Sequence, residues 1–208
     1  MSGEQETRLL RRAAEGETEA FRVLFEAHRD AVFRLAYRLT GALDVAEDMA
    51  QECFLGAIRH PARFDARRGS LRQYLCGTVR NLVRQRWQTG DREVPLDDDS
   101  GADLPGLMVI AAEPGEHDVP TAVQAAISAL PLLQREALVL FEFEEMSLEE
   151  IALRSGCEAG TVKSRLHRAR ERLRRALAPL WSQVSDSRKD VAPAPGRKTR
   201  ARTEERSL

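Results

Sequence analysis

Residues 147–177 read S-L-E-E-I-A-L-R-S-G-C-E-A-G-T-V-K-S-R-L-H-R-A-R-E-R-L-R-R-A-L, and their periodicity sets two helices around a tight turn. Ser147 followed by Glu150 has the spacing of a capping box, in which hydroxyl and carboxylate each satisfy a backbone N–H at the helix start. Leu148, Ile151 and Ala152 then give the first helix an apolar face. Gly156 suits the left-handed residue that ends a helix, and Gly160-Thr161 suits the opening of the next. In the second helix Val162, Leu166, Ala169, Leu173 and Leu177 recur at steps of three and four as a buried stripe. Lys163, Ser164, Arg165, His167, Arg168, Arg170, Arg172 and Arg174 fall opposite. A short helix, a glycine turn and a second helix with polar and basic residues near its start form a helix-turn-helix. A basic amphipathic helix in an ordinary bundle is the alternative.

Upstream of this stretch, residues 121–130 form a helix with Val123, Ala126, Ile127 and Leu130 inward, and Pro131 opens another at the first-turn position that proline tolerates. Between residues 89 and 120 the composition turns to Asp, Gly, Pro and small residues without a period, which marks a flexible linker. It is acidic: residues 91–118 hold nine carboxylates and one cation, Arg92. Its one apolar run is L-M-V-I-A-A, residues 107–112.

The N-terminal part is helical from residue 6 to 39, broken at Gly16, with Phe21, Leu24, Phe25, Val32, Leu35, Ala36 and Leu39 keeping the period. A helix from Asp44 follows, D-V-A-E-D-M-A-Q-E-C-F-L-G-A-I-R, with acids in its first turns as the macrodipole favours. Val45, Met49, Cys53 and Ala57 face the core; Asp44, Asp48, Gln51 and Leu55 form an outward strip with Glu47 and Glu52 beside it. After His60-Pro61 and an Arg-rich loop comes L-R-Q-Y-L-C-G-T-V-R-N-L-V-R-Q-R-W, with Leu71, Leu75, Val79 and Leu82 as its core stripe. Arginines interleaved with aromatics and an amide are what single-stranded nucleic acid requires, although a solvated basic helix has the same composition. Residues 182–208, with prolines, small residues and cations, read as a disordered basic tail.

The net charge of the 208 residues is −1, so the cations are segregated rather than in excess. Three distant cysteines, Cys53, Cys76 and Cys157, lack metal-ligand spacing and fit a reducing cytosol as small buried residues. With no signal peptide and no apolar run of about 20 residues, the expectation is a cytoplasmic protein without membrane insertion. His28, His60, His117 and His167 are scattered, and neither a phosphate-cradling glycine loop nor a nucleophile–base set is visible, so no enzyme, cofactor or metal is expected.

Two stretches together resemble the extracytoplasmic-function (ECF) sigma factors of bacterial RNA polymerase. The first is D-V-A-E-D-M-A-Q-E-C-F-L-G-A-I-R-H…F-D, similar to that family's polymerase-binding helix; the second is L-P-L-L-Q-R-E-A-L-V-L-F…S-L-E-E-I-A…G-T-V-K-S-R-L-H-R-A-R-E-R-L-R, similar to its DNA-binding domain. Tyr74 departs from the pattern by standing where the family usually has tryptophan. The resemblance implies an all-α chain of two small helical domains. Residues 6–88 would bind core polymerase and the minus-ten element; a flexible acidic linker, 89–120, would lead to a helix-turn-helix over 121–181 for the minus-thirty-five element, and 182–208 would be the tail.

On this resemblance Asp44, Glu47, Asp48, Gln51, Glu52 and Phe54 would meet the polymerase. Phe64, Arg67, Arg68, Ser70, Arg72, Arg80, Asn81 and Arg84 would take an extruded base and its backbone. Thr161, Lys163, Ser164, Arg165, His167 and Arg168 would face the major groove. The implied function is promoter-specific transcription initiation with help in melting DNA. The implied partners are core RNA polymerase, promoter DNA and an anti-sigma factor. The alternative is an autonomous helix-turn-helix regulator, which has no need of the Arg-rich loop and the Asn81 helix.

Overall fold

The computed structural model describes residues 1–89 and 119–189. The described residues form α-helices α1 (Gly3–Ala14), α2 (Thr18–Thr40), α3 (Leu43–Arg59), α4 (Leu71–Thr89), α5 (Val119–Ser128), α6 (Leu132–Glu142), α7 (Leu148–Ser155) and α8 (Ala159–Lys189), with a 3-10 turn at Pro61–Arg63. They assemble as two clusters. In the first, α2 is central, packed on α1, α3 and α4; in the second, α8 holds α5, α6 and α7. The two clusters meet where α2 packs on α5 and α6. Between them the linker expected over 89–120 lies outside the described residues, apart from its ends.

Local chemistry explains the boundaries. Ser147 accepts from the Glu150 N–H and the Glu150 carboxylate accepts from the Ser147 N–H, closing the expected capping box, and Gly156 ends α7 in the left-handed region at φ 66°. The same device starts α1, where Ser2 and Gln5 bond reciprocally, so α1 opens before the residue-6 start expected for it. α4 has a third such pair, Ser70 with Gln73, and the carboxylate of Glu6 accepts from the Leu71 N–H at 3.2 Å. Thus α1 positions the start of α4.

Several expectations shift by a residue or more. The α4 stripe runs Leu71, Leu75, Val79 and Val83, because steps of four continue it, while Leu82 is half-buried. Pro131 caps α6 rather than entering its first turn, and α8 opens at Ala159, one residue before Gly160. The larger correction concerns the tail expected from residue 182. α8 continues through Lys189, because residues 182–189 contain neither Pro nor Gly and Pro179 does not stop the helix; residues 190–208 lie outside the described part.

Cys53 and Cys76 are buried, and burial pushes their thiols up to about 12 and about 11. They are protonated core residues at neutral pH. Cys157 is half-buried beneath α8, with Arg165 Nη1 3.6 Å from its sulfur.

Candidate functional surfaces

α3 exposes Asp44, Glu47, Asp48, Gln51 and Glu52 along one side, while Ala46, Met49, Cys53 and Ala57 are buried on the other. The expectation for Phe54 is corrected. Its ring is 6% exposed and meets Phe25 edge-on at 5.1 Å, so it belongs to the α2–α3 core. The apolar group on the open side is Leu55, at 39%.

The loop before α4 and α4 itself divide into two sets. Arg67, Arg68, Ser70, Arg72 and Asn81 are exposed and Arg84 is half-buried. Phe64 is buried against Tyr74, with ring centroids 5.8 Å apart, and so holds the loop to the helix rather than facing outward. Tyr74 fills the aromatic position of that contact. Ser70 is the cap of α4, its hydroxyl accepting from the Gln73 N–H. Arg80 departs furthest from expectation: it is 9% exposed and points into the second cluster, donating from Nη2 to the Arg154 carbonyl at 2.7 Å. Burial lowers the pKa of its guanidinium, and the Glu136 carboxylate opposes that shift.

On α8, Thr161, Lys163, Ser164 and His167 are exposed and Arg165 and Arg168 are half-buried, opposite Val162, Leu166 and Ala169 in the core. The Ser164 hydroxyl donates to the Gly160 carbonyl, which leaves its oxygen lone pairs outward in the second turn. Arg172, expected on the outer face, is buried, because the stripe widens toward Leu173 and Ala176 as the helix crosses α6.

Sequence reasoning missed the residues that join the clusters. Arg135 is buried and donates to the carbonyls of Leu39 (2.6 Å), Leu130 (2.9 Å) and Ser128, with its guanidinium 5.0 Å from the Trp87 ring centroid. Burial brings its pKa down to about 10. Arg38 lies 4.1 Å over the Phe143 ring, and Gln124 donates to the Tyr37 carbonyl at 3.2 Å. A buried arginine inside an apolar helix such as L-P-L-L-Q-R-E-A-L was the available signal, since such a charge needs partners.

Comparison with known proteins decides what carries these surfaces. The model described as Sigma-70 region 2 matches residues 24–93, and that described as Sigma-70, region 4 matches residues 121–173. The ECF RNA polymerase sigma factor SigW of Bacillus subtilis is 30% identical, the match covering 82% of this chain and 96% of SigW. The chain belongs to the ECF sigma factors. The RNA polymerase sigma-H factor of Pseudomonas aeruginosa is similar at 31% identity over 88% of this chain and its own full length. The ECF sigma factor SigE of Mycolicibacterium smegmatis is 35% identical over 79% of this chain, which spans 64% of that relative. Among solved structures, the sigma factor RpoE in complex with the anti-sigma factor NepR, from Bartonella quintana, superposes with a TM-score of 0.57 at 28% identity, covering 77% of this chain and 98% of that one. As a sigma factor the chain acts in transcription initiation and is not itself an enzyme. No helix among its described residues is long and apolar enough to cross a membrane.

Proposed function

We propose that this sigma factor docks on core RNA polymerase through α3 and recognises two promoter elements, one with each cluster, helping to open the duplex at the downstream one. The observation that carries the reading is the capped α7 turn that delivers Lys163, Ser164 and His167 together on the open side of α8, directly opposite the buried Val162 and Leu166. That arrangement suits a recognition helix in the major groove, where cations meet guanine edges and phosphates and the hydroxyl meets either. The helix-turn-helix reading of α7 and α8 rests on the same geometry.

On α3 the carboxylates of Asp44, Glu47, Asp48 and Glu52 would set orientation and rate of docking on a basic partner surface, around the apolar contact of Leu55. At the minus-ten element Asn81 offers a donor and an acceptor to the edge of an extruded base, and Arg67, Arg68, Arg72 and Arg84 would hold the backbone. Phe64 shapes that surface from within, and Ser70 by capping α4. The likeness to RpoE, which is complexed with an anti-sigma factor, supports an anti-sigma partner for this chain too. The protein would work in the cytoplasm, where polymerase is.

The test is promoter binding by the free chain and by holoenzyme assembled with core polymerase, over a range of salt. The reading expects sequence-specific retention of promoter fragments by the holoenzyme alone. Tight, sequence-specific binding of the free chain to a palindromic duplex would favour an autonomous regulator instead.

A further inference from the structure

Helices α5, α6 and α8 leave an apolar groove of about 800 Å³ between them, lined by Val123, Ile127, Leu138, Phe143, Leu173 and Leu177. Val123, Leu173 and Leu177 are half-buried and Phe143 is exposed, so the groove is open along one side. Its rim carries two exposed arginines of α8. Arg170 pairs with Glu142, and Arg174 pairs with Glu171, both at the surface. Exposed pairs of this kind are weak, and a guanidinium fork has donors for a further carboxylate. An apolar face beside cations suits an apolar segment that is followed by acids.

We propose that residues 107–112, L-M-V-I-A-A, are the occupant of this groove, seated in cis with Glu113, Glu116 and Asp118 toward Arg170 and Arg174. The contact goes beyond the promoter reading and does not depend on it. Reach permits it. Residues 113–118 span up to about 20 Å when extended, whereas the α5 edge from Val119 to Ile127 is about 12 Å long. Pro114-Gly115 is a turn-forming pair that lets the run fold back along that edge.

Charge selects this segment over the other end of the chain. Residues 190–208 hold five cations against three carboxylates, which the arginine rim repels, and their large aliphatic residues are only Val191 and Leu208. The 107–112 run brings Leu107, Met108, Val109 and Ile110 together, and methionine adapts to irregular apolar surfaces. A short tether supplies the segment at an effective concentration of about 1 mM, so a contact too weak to hold a separate peptide at ordinary dilution is populated in cis. Docked, the run leaves residues 90–106 as the span between the two clusters. An external apolar helix meets the groove at an affinity reduced in proportion to the docked fraction.

The experiment is methyl NMR on the full chain, comparing the parent with Met108→Asp/Ile110→Asp. The methyl resonances of Val123, Ile127, Leu173 and Leu177 should move in the variant, while those of Val32 and Leu35 in the first cluster stay in place. Met108→Ser/Ile110→Ser, which adds no charge, should give the same pattern. A synthetic peptide of residues 105–118 should return the groove resonances of either variant toward their parent positions. Its Kd should be on the order of 0.1 mM for the variants and about tenfold weaker for the parent, the ratio that an effective concentration of about 1 mM sets. Groove methyls that ignore the linker substitutions overturn the proposal, as do equal peptide affinities for parent and variants. Groove shifts that follow protein concentration in every chain alike also overturn it, and give the groove to a second copy.

Discussion

Arg135 of α6 donates to the carbonyl of Leu39 at the end of α2, 2.6 Å away, and so ties the second cluster to a helix terminus of the first. The last carbonyls of a helix have no partner within it, and Gly41, in the left-handed region, turns the chain away and bonds back only to Tyr37. One planar guanidinium serves the Leu39, Leu130 and Ser128 carbonyls together. Arg135→Ala should cost roughly 3 kcal/mol in urea unfolding, from lost charged hydrogen bonds and buried acceptors left unmade. Arg135→Lys should recover little of it, because an ammonium cannot span three acceptors in a plane.

His28 Nε2 lies 3.3 Å from one oxygen of buried Glu6, whose other oxygen accepts from the N–H of Leu71. Burial lowers the His28 pKa, Glu6 opposes this, and the N-terminal amine and Arg72 add to the lowering. A histidine whose folded pKa is below its unfolded value binds fewer protons when folded, so stability rises with pH across that window. The urea midpoint should fall as pH drops below about 6.5, the unfolded value. His28→Gln should shrink the difference between mildly acidic and neutral pH. An unchanged difference would remove His28 as its source.

Phe54 and Asp48 each sit five residues from an end of α3, with opposite consequences. Phe54→Ala empties a core position and should cost about 3–5 kcal/mol of stability. Asp48→Lys, on the exposed strip, should leave the urea midpoint within about 0.5 kcal/mol of the parent. It should weaken assembly with core polymerase about tenfold, as should Leu55→Ala, measured by fluorescence anisotropy of the labelled sigma factor.

α7 depends on its two ends. Ser147→Ala removes the acceptor for the Glu150 N–H and should cost about 1 kcal/mol. Gly156→Ala meets no neighbour but must hold a left-handed residue at φ 66°, for about 1–2 kcal/mol. Thermal unfolding followed by circular dichroism would read both.

Helix positions were legible because apolar spacing, capping pairs and glycine stops act within a few residues. The Ser147–Glu150 box and Gly156 are local facts that tertiary packing left unchanged. Phe54 and Phe64 were misassigned as outward because a motif gives the position of an aromatic along a helix but not its facing. A shift of one residue, about 100° around the axis, takes Phe54 into the core and leaves Leu55 outside. Arg80 was not legible as buried, because its partners Glu136 and Arg154 come from another cluster more than fifty residues away along the chain. The continuation of α8 through Lys189 was missed because the polar stretch 182–189 carries no hydrophobic period to read.

The most direct measurement is in vitro transcription with core polymerase, the purified chain and a pool of promoters from its own genome. The account predicts initiation from a defined subset, lost in Lys163→Ala/Arg168→Ala through failure at the upstream element and in Asn81→Ala through failure to open the downstream one. Initiation that is absent with the parent chain, or indifferent to all three substitutions, would contradict it.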